Sequence, residues 1–240
     1  MKIILCGSNG KMGKVVCQIV DDSEKNEIVA KVDVNTKFDE ITNSADVIID
    51  FSNPSSLSDL LEYAKKNTLP VVLATTGYTK EQDKEIIEAA KQIPIFKSAN
   101  MSIGVNLIIN LARKATKILK DDFDIEIVEA HHNQKLDAPS GTAILIADNI
   151  NDELSEKMNY EYDRHDKYQK RDKNEIGIHS VRGGTIVGEH EVIFAGPDEI
   201  VKIGHSARSR EIFANGAIKA AEFLLDKKNG LYDMTNLLEV

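Results

Sequence analysis

The sequence predicts an α/β protein in which a doubly wound parallel sheet is followed by a second domain of α+β type. Two observations support this. Up to about residue 100, short apolar segments alternate with helical segments, the pattern of parallel βαβ units. Beyond that point, three strand-like segments follow one another without crossover helices, which favours a mixed or antiparallel sheet.

The first domain is predicted from alternating strands and helices. Its first strand, residues 2–6, is wholly apolar, as expected of a strand that is buried on both faces of a parallel sheet. Four more strands are expected at 28–34, 46–51, 70–75 and 93–97, with helices at 11–20, 56–67 and 79–91. This domain is assigned to residues 1–101.

The second domain is assigned to residues 102–211. A long amphipathic helix at 105–119 is followed by a strand at 124–130 and a helix at 140–150. The polar segment 151–174 is expected to be an exposed loop or frayed helix. Three strands are predicted at 175–182, 185–195 and 199–207. A C-terminal helix is predicted, with its helical pattern over 212–226, and this helix, taken as 212–240, is expected to rejoin the first domain.

Composition limits the possible partners and location. The 240 residues include 39 acidic and 30 basic side chains, a net charge of -9, and this charge does not suit binding to nucleic acid. Two cysteines do not form a disulfide framework, so a cytoplasmic location is expected. No apolar stretch approaches the roughly 18 residues that span a membrane, so no membrane partner is expected.

A glycine-rich turn links the first strand to the first helix. Gly7, Gly10 and Gly13 suit a tight turn, a close backbone approach to a pyrophosphate, and close packing of helix on strand. The helix N-terminus that follows favours phosphate. Asp33, 20 residues after Gly13, is placed to accept hydrogen bonds from a ribose. Such glycines can also merely close a βα turn, but strand, helix and acid together predict a Rossmann-type dinucleotide-binding domain.

A second candidate site is the loop from Glu129 to Ala143. His131, His132 and Lys135 can hold or donate protons near neutral pH. Ser140 suits the N-cap of the next helix, whose first residues, Gly141 and Thr142, would favour a carboxylate. Histidines in a loop are often simply solvated. No metal site is expected, because the histidines are adjacent and no ligand set accompanies them.

The segment Glu129–Ala143 resembles the signature of the 4-hydroxy-tetrahydrodipicolinate reductase (dihydrodipicolinate reductase) family. The resemblance extends over nearly the whole chain. It includes the segments 7–13, 50–54, 74–77, 98–106, 188–192 and 213–217. Ala74 stands where the family turn begins with glycine.

The resemblance implies NADH- or NADPH-dependent reduction of an unsaturated cyclic imine dicarboxylate, formed from 4-hydroxy-tetrahydrodipicolinate by dehydration. The product, tetrahydrodipicolinate, leads to diaminopimelate and lysine. His131 and Lys135 would handle the proton, with Lys135 as the expected donor. The substrate would be held by His132, Lys135, Ser140, Gly141 and Thr142. The cofactor would be held by Gly7, Ser8, Asn9, Gly10, Lys11, Met12, Asp33, Ala74, Thr75, Thr76, Ser98, Ala99, Asn100 and Met101. The resemblance also implies a homotetramer built through the sheet of the second domain.

Two other functions fit part of the sequence. A different two-domain NAD(P)-dependent dehydrogenase, acting on an amino-acid-like substrate, would share the glycine turn but would not require the loop from His131 to Thr142. A non-catalytic NAD-sensing module would explain Gly7–Gly13 but gives no reason for two histidines and a lysine in one loop. The preference between NADH and NADPH stays open, because no arginine follows Asp33.

Overall fold

The computed structural model describes residues 1–239, and they form two compact units. The first unit comprises Met1–Ile103 together with the chain from Arg210 onward. The second unit is Gly104–Ser209. Val240, the last residue of the segment predicted to rejoin the first domain, lies outside the described residues.

The elements alternate along the first hundred residues much as the sequence predicts. The strands are β1 (Lys2–Cys6), β2 (Glu27–Val32), β3 (Val47–Asp50), β4 (Val71–Leu73), β5 (Pro94–Lys97), β6 (Asp124–His131), β7 (Asn159–Glu161), β8 (Glu175–Arg182), β9 (Gly188–Ala195), β10 (Ile200–Ala207) and β11 (Gly230–Tyr232). The α-helices are α1 (Lys11–Asp21), α2 (Leu57–Asn67), α3 (Lys80–Ala90), α4 (Ile103–Leu119), α5 (Gly141–Asp152), α6 (Glu211–Leu224) and α7 (Met234–Leu238).

The first unit is built on a parallel sheet in the order β11-β5-β4-β3-β1-β2. Its inner strands are apolar because both faces are covered. One face packs against α1 and α6, and the other against α2 and α3. The predicted doubly wound α/β fold is confirmed for this unit.

Helix α6 brings the end of the chain into the core of the first unit. Small residues on its buried face, among them Ala214, Ala217 and Ala221, let it lie close to the sheet. At Gly216 the approach is closest, since a Cβ there would lie 1.7 Å from the carbonyl oxygen of Met101. Any side chain at Gly216 would therefore displace α6 or the segment that follows β5.

The second unit contains a five-stranded mixed sheet in the order β10-β9-β6-β8-β7. Strand β6 pairs parallel with β8 and antiparallel with β9, so the predicted mixed sheet is confirmed. Alternate residues of β6 are buried, and Ile125 and Ile127 join a core formed with α4 and α5. The central position of β6 holds its last residue, His131, on a rigid element.

Two segments differ from expectation. The polar segment 151–174 is not simply a loop or frayed helix: it contains β7, and Arg164 and Arg171 form ion pairs with Glu126 on β6. Arg164 also pairs with Glu175. The C-terminal segment 212–240 is not one helix, because α6 ends at Leu224 and is followed by β11 and α7.

No helix within residues 1–239 combines the length and apolar character that a membrane span requires.

Candidate active site

The glycine turn of the first unit is tightly constrained by its own backbone. Gly7 has φ +77, and a Cβ there would lie 2.4 Å from the carbonyl oxygen of Phe51. A Cβ on Gly13 would lie 2.2 Å from the carbonyl oxygen of Gly7, so α1 can approach the turn only because position 13 is glycine. Two of the three glycines are thus required by the close approach of the chain to itself.

The middle glycine leaves the start of α1 bare. Gly10 is the N-cap residue, and no side chain caps this end of the helix. A Cβ on Gly10 would meet only the Gly7 carbonyl oxygen, at 3.2 Å, so packing alone does not demand glycine here. An uncapped helix N-terminus next to a side-chain-free turn fits a pyrophosphate, because the helix offers N–H groups and a positive dipole end.

Asp33 lies directly after β2 and is held against the turn. Its carboxylate accepts hydrogen bonds from the Ser8 hydroxyl at 2.5 Å and from the Asn9 backbone N–H at 3.2 Å. Gly7, Gly10 and Asp33 line one cleft of about 790 Å³, together with the aromatic ring of Phe38. The turn, the helix end and the acid predicted to contact a nucleotide are therefore brought together in one cleft.

The other predicted cofactor residues follow neighbouring strands of the same sheet. Lys11 and Met12 begin α1, Ala74–Thr76 follow β4, and Ser98–Met101 follow β5. Since carboxyl ends of parallel strands meet at one edge of a sheet, all these residues belong to that edge, where ligands of α/β sheets bind. The 790 Å³ cleft is lined by the turn and Asp33 but not by the residues after β4 and β5.

Sequence reasoning missed a buried acid at this edge. Asp50 is 1% exposed and accepts hydrogen bonds from the Ser52 backbone N–H at 3.1 Å and from the Tyr78 hydroxyl at 3.3 Å. Burial raises the pKa of Asp50, although these hydrogen bonds act against that rise. Asp50 joins the loops that follow β3 and β4. The sequence pattern that could have predicted this buried acid is a single Asp at the end of an apolar strand.

In the second unit, the predicted proton-handling histidine is held by a buried carboxylate. His131 ends β6, and its Nδ1 lies 2.6 Å from Oε2 of Glu129. Glu129 is fully buried and also receives two hydrogen bonds from Arg182, both of 2.8 Å. Burial alone would raise the pKa of Glu129, but the hydrogen bonds from Arg182 and other donors lower it to about 2. The carboxylate beneath His131 is therefore ionised at neutral pH.

Lys135 already holds a carboxylate in this structure. Its Nζ lies 2.8 Å from Oδ1 of Asp137, which is exposed. Hydrogen bonding from Lys135 lowers the pKa of Asp137, and the backbone N–H of Gly141 adds to the effect. The lysine and the start of α5 thus converge on one carboxylate group. A Cβ at Gly141 would meet no atom within 4 Å, so there is room beside this helix end.

Ser140 is the N-cap of α5, as predicted. Its hydroxyl accepts a hydrogen bond from the Ala143 N–H at 3.1 Å and lies 2.9 Å from Nε2 of His190. Burial, together with the nearby His131, lowers the pKa of His190 to about 4, so His190 is neutral at physiological pH. The rings of His131 and His190 meet edge to face at 5.2 Å between centroids.

His132 and Thr142 complete the predicted substrate residues. His132 follows β6, and its Nδ1 is buried with no hydrogen-bond partner among residues 1–239. Thr142 lies in the first turn of α5. The structure therefore gathers all six predicted proton-handling and substrate residues around the β6–α5 connection. In the described part of the chain, no three His, Cys, Asp or Glu side chains form a group that could hold a metal ion.

Sequence reasoning did not assign roles to Glu129, Arg182 and His190. Glu129 carried a readable signal, because it occupies a buried position in the alternation of β6, where Ile125 and Ile127 precede it. Arg182 and His190 lie on other strands, β8 and β9. Their approach to Glu129 and Ser140 depends on strand register, which the sequence does not reveal.

Comparison with known proteins matches both parts of the chain. Residues 1–101 match the family model "Dihydrodipicolinate reductase, N-terminus", and residues 104–238 match "Dihydrodipicolinate reductase, C-terminus". A 4-hydroxy-tetrahydrodipicolinate reductase from Caldanaerobacter subterraneus subsp. tengcongensis is 53% identical, over 100% of this chain and 98% of that protein. One from Clostridium novyi is 51% identical, over 99% of this chain and 98% of that protein.

Solved structures point to the same family as the sequence comparisons. The dipicolinate-bound dihydrodipicolinate reductase from Paenisporosarcina sp. TG-14 superposes with a TM-score of 0.84 at 26% identity, covering 99% of both chains. A probable dehydrogenase from Thermotoga maritima shares the fold, with a TM-score of 0.64 at 10% identity. Family models over both domains and relatives identical at about half of all positions lead to one conclusion: the chain belongs to the dihydrodipicolinate reductase family.

Proposed function

We propose that the protein is an oxidoreductase that reduces the unsaturated cyclic imine dicarboxylate formed by dehydration of 4-hydroxy-tetrahydrodipicolinate. The product is tetrahydrodipicolinate, on the route to diaminopimelate and lysine. The observation that carries the proposal is the carboxylate of Asp137 between Lys135 and Gly141. It marks a place where this chain binds a carboxylate with the residues expected to grip the substrate. The related enzyme from Paenisporosarcina sp. TG-14 is described as dipicolinate-bound, and dipicolinate carries two carboxylates.

The proposed dinucleotide-binding domain, residues 1–101, falls within the first unit and would hold NADH or NADPH. Gly10 and the bare end of α1 suit the pyrophosphate, and Asp33 suits a ribose. The nicotinamide group, when bound, supplies a hydride to the substrate. Lys11, Met12, Ala74–Thr76 and Ser98–Met101 are the remaining proposed contacts. The fit is supported by the bare turn at Gly10, where a Cβ would meet only the Gly7 carbonyl oxygen, at 3.2 Å.

The proposed substrate domain, residues 102–211, contains the whole second unit and would orient the dicarboxylate and supply a proton. His132, Ser140, Gly141 and Thr142 are the proposed carboxylate contacts, together with Lys135. When hydride adds to the conjugated carbon–carbon bond, the electron pair moves toward the imine nitrogen, and the neighbouring carbon must gain a proton. His131 and Lys135 are the proposed proton-handling pair, with Lys135 as the donor. A lysine ammonium group can donate a proton, and this proton offsets the negative charge that the hydride adds to the substrate.

Steady-state kinetics test the proposal. The purified protein is mixed with the fresh condensation product of aspartate semialdehyde and pyruvate, and the absorbance of NADH or NADPH is followed in parallel assays. We expect oxidation of at least one of the two nucleotides, dependent on the condensation product. No turnover with either nucleotide would refute the proposed function. Saturable NADH binding without turnover would instead favour a nucleotide-sensing module.

We also propose a cytoplasmic homotetramer. The sheet of the second unit has one face without a helix, and that face exposes the apolar side chains of Val181 and Ile200. Both cysteines are free, which suits a reducing compartment. Light scattering during size-exclusion chromatography should give four times the chain mass of 26.6 kDa. A mass equal to one chain would refute the assembly.

A further inference from the structure

We propose that Glu129 is a positioning residue for proton transfer: it fixes the ring of His131 and the start of α5 with the same carboxylate. The inference rests on the proposed function, since it concerns the same site. Glu129 is fully buried, so we assign it a role through its neighbours rather than a contact with substrate or cofactor. It is two residues before His131 on β6, so both side chains point to the same, buried face of the sheet.

Four hydrogen bonds tie the Glu129 carboxylate to elements that frame the site. Oε2 faces Nδ1 of His131 at 2.6 Å and a guanidinium nitrogen of Arg182 at 2.8 Å. Oε1 accepts from the backbone N–H of Ser140 at 3.1 Å and from the second terminal nitrogen of Arg182 at 2.8 Å. One side chain therefore links the end of β6 to the N-cap of α5, across the loop that carries Lys135.

The charge state of Glu129 decides which nitrogen of His131 carries a proton. Arg182 and the other donors hold the pKa of Glu129 at about 2 despite its burial, so the group is ionised and can only accept. Nδ1 of His131 must then be the donor. In the neutral ring, Nε2 is left as the atom that can take a proton or pass one on. A Cβ on Gly188 would lie 3.1 Å from this Nε2, so glycine at position 188 leaves room beside it.

Arg182 holds both Glu129 and the loop that carries Lys135 in place. Besides its paired hydrogen bonds to Glu129, it donates to the carbonyl oxygen of Asp137 at 2.6 Å. The loop is thereby tied near Lys135 as well as at Ser140. The ring of His190, which lies against that of His131, is neutral because burial lowers its pKa to about 4. The charges of Glu129 and Arg182 balance each other across their ion pair of 2.8 Å.

Glu129→Gln in the full-length enzyme is the direct test. The amide keeps the shape of the side chain but removes the charge, and its NH2 group can donate to Nδ1, which favours the opposite tautomer. We expect kcat to fall about 100-fold or more, because loss of the residue that orients a catalytic histidine has effects of this order or larger. The Kd for NADH is expected to stay within about twofold of wild type, since Glu129 lies in the other unit.

Glu126→Gln is the matched control. Glu126 lies on the same strand, pairs with Arg164 and Arg171, and accepts from Nε2 of His179 at 2.7 Å. It thus loses the same charge amid similar partners but does not touch His131. We expect this variant to keep kcat within about twofold of wild type. A folded Glu129→Gln enzyme with wild-type kcat, or an equal loss of kcat in both variants, would overturn the inference.

A second measurement needs no folded Glu129 variant. Long-range ¹H–¹⁵N spectra of the wild-type protein at pH 8, with His131 assigned by comparison with His131→Gln, report the tautomer directly. We expect the proton on Nδ1, and a proton on Nε2 alone would overturn the inference. This measurement requires no substrate. A wild-type enzyme without turnover would therefore refute the proposed function, whereas an active enzyme with the opposite tautomer would refute only the role of Glu129.

Discussion

The glycine turn offers a prediction that separates folding from cofactor binding. A Cβ at Gly13 would lie 2.2 Å from the Gly7 carbonyl oxygen and 2.6 Å from the Cα of Ser8, whereas ordinary contact begins at 3.4 Å. Both neighbours are backbone, so the turn or α1 must shift by about 1 Å in Gly13→Ala. Gly10→Ala is different, because its only close neighbour is at 3.2 Å and its φ of -69 suits alanine.

These distances set the expected losses of stability and of dinucleotide affinity. Overpacking against rigid backbone costs about 2–3 kcal/mol in Gly13→Ala, which lowers the melting temperature by about 5–10 °C in a chain of this size. Gly10→Ala should cost less than about 1 kcal/mol of stability. Its methyl group would instead hold a pyrophosphate away from the helix end. Loss of one charge-assisted hydrogen bond, about 1.5–3 kcal/mol, weakens dinucleotide binding about 10- to 100-fold.

Two assays on the same preparations check the prediction. Thermal denaturation without nucleotide measures stability, and fluorescence titration with NADH and NADPH measures affinity. We expect Gly13→Ala to lose mainly stability and Gly10→Ala to lose mainly affinity. If Gly10→Ala binds both nucleotides as wild type does, the pyrophosphate does not lie at this helix end, and the proposed cofactor site is wrong.

Four further predictions concern single carboxylates and a lysine. Lys135→Ala should lower kcat about 100-fold and leave the Kd for NADH unchanged. The control Lys202→Ala, which removes an exposed ion-paired lysine of the same unit, should leave kcat unchanged. Loss of NADH binding in Lys135→Ala would contradict the assigned roles. Asp33→Asn should lower kcat/KM about tenfold for NADH and less for NADPH, measured side by side, and an equal loss for both would exclude a ribose contact. Asp137→Asn should tighten dipicolinate binding by calorimetry, since a competing carboxylate is removed from Lys135; weaker binding would show that Asp137 supports the site. Because the pKa of Glu129 is lowered from 4.5 to about 2, its stabilisation is present above pH 4.5 and is lost as pH falls toward 2. The urea midpoint of the wild type should therefore fall more steeply over that range than that of Glu129→Gln, and parallel curves would refute the assignment.

The sequence predicts the local elements of this fold well because their signals are local. The apolar strand at 2–6, the glycine turn and the amphipathic helix after it occupy adjacent positions, and each limits the next. The same holds for Ser140, whose position before a helix predicts its N-cap. Short elements such as β11, three residues paired with β5 far back in the chain, have no local signal of that kind.

The candidate active site is predictable only in part, because some of its contacts join residues that are far apart in the sequence. His131 and Lys135 can be predicted from the sequence, because both are proton-transfer residue types and both lie in one short loop. Arg182 reaches Glu129 from 53 residues away, and Arg171 reaches Glu126 from 45 residues away. Pairings of this kind are fixed by the register of β6 with β8 and by the path of a polar segment, and neither is encoded in a nearby pattern.

The late return of the chain to the first unit has a consequence for biosynthesis of the protein. Strands β1 to β5 leave the ribosome well before α6, which together with α1 covers one face of their sheet. At about 5–20 residues per second, the roughly hundred residues in between take about 5–20 s to be translated. During that interval the part of the apolar face that α6 will cover stays open to chaperones, while the second unit, continuous in sequence, can already complete its own core.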